Sequence, residues 1–157
     1  MSMNEGMYSS KDTVRETPPD FFERLDREFH FDRDVCAIAA NTKCETFFSP
    51  EDDALQQDWI GTCWMNPPYG REIGKWLQKD YEEAQKGAVV VCLLPSRTDT
   101  RWWHDWVMRA KEVRLVKGRL TFVGCASAAP FPSAVVVFTK RSRLPGISPD
   151  LSAMEAK

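Results

Sequence analysis

An α/β fold with a mostly parallel sheet and an antiparallel edge hairpin is predicted from three observations. Residues 88–94, AVVVCLL, are apolar throughout, as a central parallel strand covered on both faces must be. Segments of helical periodicity alternate with short strand-like apolar runs. Beyond about residue 110 the helical pattern gives way to strand-like runs in succession, which suits a hairpin at one edge.

Near the N-terminus Phe21, Phe22, Leu25 and Phe29 share one helical face, with Thr17 placed to cap, Pro18 suited to the first turn and Asp20 complementing the helix dipole. A short strand is expected over residues 34–38. Another, over 63–65, runs into Asn66-Pro67-Pro68-Tyr69-Gly70, where prolines end ladder pairing. Ile73, Trp76, Leu77, Tyr81 and Ala84 mark a second helix, and Gly87 stands where it should end. Pro95 closes the strand at 88–94. Thr98 or Asp99 can cap a third helix whose apolar stripe is Trp102, Trp103, Trp106, Val107 and Ala110. Strands are then predicted at 113–116, 120–123 and 134–138, the first two joined by a tight turn at Lys117-Gly118.

The 157 residues suit one compact domain, expected over 15–140, between a flexible N-terminal segment (1–14) and a C-terminal tail (141–157). With 43% hydrophobic and 28% charged residues the composition is that of a globular chain, and no apolar run reaches bilayer length. The first residues lack the basic start and apolar stretch of a signal peptide, so a cytoplasmic location and reduced thiols are expected. Cys36, Cys44, Cys63, Cys92 and Cys125 form no C-x-x-C pair, and His30 and His104 do not cluster with them, so no metal site is predicted. The net charge of −2 conceals a division: residues 1–70 carry six Lys/Arg against fourteen Asp/Glu, and residues 71–143 carry fourteen against seven. A later half this basic can face nucleic-acid phosphates, or can be an ordinary solvated surface.

The segment that carries chemistry is Asn66–Gly70, because ligands of open α/β sheets bind beyond the carboxyl ends of the strands. An exocyclic amino nitrogen such as adenine N6 is a poor nucleophile, its lone pair being delocalised into the ring. Acceptors on both amino hydrogens would localise that pair. The Asn66 side-chain oxygen and the Pro67 carbonyl supply two such acceptors, Pro67 and Pro68 restrict the torsions that aim them, and Tyr69 can stack on a base rotated out of a duplex. The same five residues could also simply terminate a strand.

Three blocks, NPPYGREIGKWL, LLPSRTDTRWWHDWV, and GRLTFVG followed by APFPSAVVVF, resemble the phage-type DNA N-6-adenine-methyltransferase family over approximately residues 15–140. The resemblance implies a single-domain Rossmann-like methyltransferase fold, S-adenosyl-L-methionine as the donor, and adenine N6 of double-stranded DNA as the acceptor. It further implies that Asp34, with Cys36 and Ala37, approaches the methionine end of the cofactor. Thr17 and Pro18 are implied to meet the cofactor carboxylate, and Asp53 with its neighbours to receive the cofactor adenine. Asn66 would border the cofactor as well as the base. Arg97, at the end of the central strand, is a candidate for the target base or a phosphate, and Phe122 and Phe131 resemble aromatic positions that cover an extruded base. Residues 34–44, DVCAIAANTKC, contain none of the glycines usual beside the first strand of such enzymes.

Two rivals are weighed against this reading. A methyltransferase for an RNA base or a protein glutamine would share the tetrapeptide, but the glycine-rich cofactor loop expected of those enzymes is missing. A noncatalytic nucleic-acid-binding module would have no reason to keep residues 66–69 intact. A cytosine-C5 enzyme is excluded because it needs a Pro-Cys nucleophile, and no Pro-Cys dipeptide occurs.

Overall fold

The structure, a computed structural model, describes residues 15–140 and Leu144. The segment 1–14 and, Leu144 apart, the tail 141–157 lie outside the described residues. Five strands form one mixed sheet: β1 (Arg33–Asp34), β2 (Thr62–Met65), β3 (Val89–Pro95), β4 (Glu112–Leu115) and β5 (Ser133–Phe138), in the spatial order β1-β2-β3-β5-β4. The first three strands are parallel, β5 runs antiparallel to β3, and β4 pairs antiparallel with β5 at the edge. The edge is antiparallel as expected, but it is formed by β4 with the distant β5 and not by a hairpin of residues 113–116 and 120–123.

Helices cover both faces. Trp64 of β2 meets the edge of Phe22 from α1 (Pro19–Phe29), with ring centroids 5.3 Å apart. On the opposite face Cys92 of β3 donates its thiol hydrogen to Asp80 of α2 (Ile73–Gln85). Met65 is the register partner of Cys92 and shares its face, while Trp64 pairs with Val91 on the other. Buried on both sides, β3 has no polar face, which explains the apolar run that marked it.

Several boundaries differ from expectation for local reasons. Pro18 is the cap of α1 and not a residue of its first turn, because a residue preceding proline is pushed out of the helical region and Pro19 follows it. Thr17 does not cap; its hydroxyl accepts from Asn66. The strand expected at 34–38 is only Arg33–Asp34, since the Asp34 carboxylate accepts from the main-chain N–H groups of Cys36 and Lys43 and turns the chain away. The third helix, α3 (Arg101–Asp105), is capped by Thr100, whose Oγ1 accepts from Trp103 N–H, and not by Thr98 or Asp99. It passes into a short 3-10 turn at Val107–Arg109. Of Trp102, Trp103 and Trp106 only Trp103 is buried.

Residues 120–123 form no strand. Their backbone is drawn to two separate partners, Ala129 N–H donating to Leu120 O and Val123 N–H to Glu16 O, which leaves β5 to pair with β4. Lys117-Gly118 is a bend and not the expected tight turn of a hairpin, with Gly118 at φ +78°, where a side chain would be strained. It leads out of the sheet and not into a neighbouring strand.

Candidate active site

Asp34 ends β1 opposite Trp64 of β2, and Asn66 lies two positions beyond Trp64. Positions two apart share a strand face, so the three project toward the side that α1 covers. They line a narrow cleft together with Thr17 and Cys36 from the neighbouring segments and Pro67 and Pro68 of the motif. Arg15, Glu16, Asn41 and Lys43 complete it. The cleft encloses about 30 Å³, room for little more than one water molecule.

Asp34 is 3% exposed. Its Oδ1 accepts from Cys36 N–H at 3.2 Å and its Oδ2 from Lys43 N–H at 3.0 Å. Burial pushes the carboxyl up to about 6, against the opposing pull of those two N–H groups and the Lys43 charge. The Lys43 ammonium, itself largely shielded, lies 3.7 Å from Glu16.

Asn66 is tied from one end only. Its Nδ2 donates to the Arg15 carbonyl and, at 3.0 Å, to Thr17 Oγ1. Its Oδ1 is buried and has no hydrogen-bond partner. An acceptor held dry and unpaired costs about 1–3 kcal/mol, so a donor brought to it is favoured by a similar amount.

A wider cleft of about 490 Å³ opens beside the first and shares Arg15 with it. Tyr69, Arg71, Pro95, Arg97, Trp102 and Phe131 line it, with no carboxylate among its lining residues. Tyr69 is held rather than free: its hydroxyl donates to Leu93 O at 3.0 Å, and its ring meets Phe131 and Phe122 edge-on at 5.7 and 6.3 Å. The Arg97 guanidinium sits over the Phe131 ring at 5.7 Å, and that of Arg15 lies 5.8 Å from the same centroid. Phe122 is 2% exposed and lines a smaller neighbouring hollow, again with Arg15.

Three of the expected cofactor residues do not line the narrow cleft. Pro18 caps α1, and Ala37 is buried with its N–H on Phe48 O. Asp53 is exposed, in the left-handed conformation that closes the 3-10 turn Pro50–Asp52. Sequence reasoning in turn missed Arg15, Lys43, Arg71 and Trp102. Arg71 could have been found as the first charge after the motif; the others reach the clefts only through the path of the chain in space.

The five cysteines are free, and burial pushes the thiols of Cys44 and Cys63 up to about 12. Among the described residues no cluster of three or more His, Cys, Asp or Glu side chains could hold a metal ion, and no helix is long and apolar enough to cross a membrane.

Parallel strands, helices on both faces and a reversed strand set between β3 and β4 make this a Rossmann-like methyltransferase fold. A SAM-dependent O-methyltransferase from Thermotoga maritima superposes with a TM-score of 0.50 over 92% of this chain and 74% of that one, at 8% identity. The family model for DNA N-6-adenine-methyltransferase (Dam) matches residues 6–150, and the chain belongs to that family. A DNA N-6-adenine-methyltransferase of Haemophilus phage HP1 is 38% identical over 95 residues, covering 59% of this chain and 55% of its own. Another, of Escherichia phage T1, is 29% identical over 119 residues, covering 72% of this chain and 50% of its own. The chain thus spans about half the length of these relatives.

Proposed function

We propose that this chain, through a methyltransferase domain over residues 15–140, transfers a methyl group from S-adenosyl-L-methionine to N6 of adenine in double-stranded DNA, in the cytoplasm of a host cell. The observation that carries the reading is the Asn66 amide, whose nitrogen is engaged and whose oxygen is a buried, unpartnered acceptor at the carboxyl end of β2. Such an oxygen suits an amino group and repels a carbonyl. Accepting one N6 hydrogen, it keeps the nitrogen lone pair off the ring, and it strengthens as N6 gains positive charge during transfer. The Pro67 carbonyl is the second acceptor of the proposal.

The narrow cleft fits the amino-acid end of the cofactor in its chemistry. The Asp34 carboxyl, buried and facing the cleft, suits an ammonium, and Lys43 suits a carboxylate. Cys36 lies between them in sequence and lines the same cleft. As it stands, at about 30 Å³, the cleft is too small for that group, so it must open to admit it. When bound, the cofactor supplies a sulfonium methyl group that needs no metal and no covalent enzyme intermediate, only in-line placement.

The wider cleft fits the acceptor nucleotide. Its aromatic lining from Tyr69, Trp102 and Phe131 offers contact to a base turned out of the helix, and Arg71 and Arg97 offer charge to its phosphates. Incubation with a DNA duplex and methyl-labelled S-adenosylmethionine, followed by nucleoside analysis, tests the reading. Label in N6-methyladenine is expected. Label only in RNA or in protein glutamine, or no cofactor binding by calorimetry, overturns it.

A further inference from the structure

A terminal amide can present either of its ends, and its neighbours decide which. A main-chain carbonyl only accepts, so the end of Asn66 that meets Arg15 O must be the nitrogen. Thr17 Oγ1 lies 3.0 Å from the same nitrogen. The opposite end, Oδ1, is thereby turned away from both, buried and without a partner.

The segment that imposes this orientation is itself anchored on both sides. Glu16 O accepts from Val123 N–H at 3.0 Å, and the proline pair that follows Thr17 opens α1. Thr17 is 2% exposed, which leaves its hydroxyl little freedom to find other partners.

We propose that Thr17 is a positioning residue for methyl transfer: with the Arg15 carbonyl it fixes the Asn66 amide so that Oδ1, and not Nδ2, faces the incoming amino group. The inference rests on the reading of Asn66 as the acceptor for that group. An amide turned the other way would present two donors, repelling an amino nitrogen and attracting a carbonyl or ring nitrogen. Thr17 therefore takes part in choosing the class of base as well as in the rate. The resemblance to related enzymes assigns it to the cofactor carboxylate, and the two roles predict different measurements.

The test uses the full chain with Thr17→Val, which removes the polar atom at nearly constant shape, and Thr17→Ser, which restores it; Thr17→Ala replaces the valine variant if that one does not fold. Three quantities are read: the NMR signals of the Asn66 side-chain amide, assigned by their loss in Asn66→Ala; cofactor affinity by calorimetry; and single-turnover methylation of a duplex. Thr17→Val is expected to shift the Asn66 amide signals, to speed their hydrogen exchange and to slow methyl transfer about 3–10-fold, the worth of one neutral hydrogen bond. Cofactor affinity stays at the parental value, and Thr17→Ser recovers the rate. Unmoved Asn66 amide signals overturn the inference, as does weakened cofactor binding with an unchanged single-turnover rate. If the parent protein methylates no adenine, it is the proposed function that fails, while the amide signals still decide whether Thr17 orients Asn66.

Discussion

Asn66 and Thr17 are 49 positions apart, yet Asn66 Nδ2 donates to Thr17 Oγ1 at 3.0 Å, and that contact leaves Asn66 Oδ1 without a partner. The side chain at the centre of the motif is thus preorganised before any ligand arrives, with its donor end satisfied and its buried acceptor end left unpartnered. Preorganised polar groups aimed at developing charge lower a barrier because they need no rearrangement as the reaction proceeds.

Asn66→Ala removes the acceptor. By analogy with other fixed hydrogen-bonding groups in shielded sites, the loss is about 2–4 kcal/mol of transition-state stabilisation, a rate drop of roughly 10²–10³-fold. Single-turnover methylation of a duplex is the measurement. Cofactor and duplex affinity should persist, since phosphate contacts dominate the latter. Near-parental turnover would remove the amino-acceptor mechanism.

Arg71 and Arg97 line the wider cleft, where no carboxylate joins them. If both meet phosphates, duplex affinity falls steeply with salt, and each substitution to alanine flattens the plot of log affinity against log salt by about 0.9. Binding titrations across a salt series check this. Slopes unchanged in both variants would place the DNA elsewhere, while cofactor affinity should depend little on salt in every case.

If the Asp34 carboxylate meets the cofactor ammonium, cofactor affinity depends on pH. Its folded pKa, about 6, lies above that of an unfolded aspartate. The folded state therefore binds the proton more tightly, and the resulting stability is complete below the unfolded value and is lost as pH rises toward the folded one. Cofactor binding follows the opposite course, because the carboxylate is the form that attracts an ammonium. Affinity should rise with pH through this range and fall about tenfold for each pH unit below the carboxyl pKa. Calorimetry on the parent and on Asp34→Asn tests it; the variant should bind more weakly and without this pH dependence.

Asp80 is fully buried on α2, with Oδ2 accepting from the Cys92 thiol and Oδ1 unpartnered, and burial holds its carboxyl protonated well above the usual range. Folding must then protonate it, so stability falls as pH rises above the unfolded pKa of about 4. Asp80→Asn keeps the shape without the titrating proton and should stabilise the protein at neutral pH. Denaturant melts between about pH 4 and pH 7 should show a smaller pH dependence in the variant. Equal slopes in both proteins would mean that Asp80 is charged in the fold.

The sequence by itself determined the order of strands and helices, the central strand, and the corner at Asn66. These are local consequences of apolar periodicity, of proline at 67 and 68, and of a chain that must turn where its ladder ends. Where local signals misled, a distant partner had taken the group in question. Thr17 has the chemistry of a cap but spends its hydroxyl on Asn66, and residues 120–123 have the composition of a strand but lend their backbone to Ala129 and Glu16. The insertion of β5 between β3 and β4, the meeting of Arg15 with Arg71 and Arg97 around one cleft, and the burial that lifts the Asp34 carboxyl were decided only by the tertiary structure. None is encoded in a window of neighbouring residues, because each depends on which parts of the chain exclude water from one another once the sheet has closed.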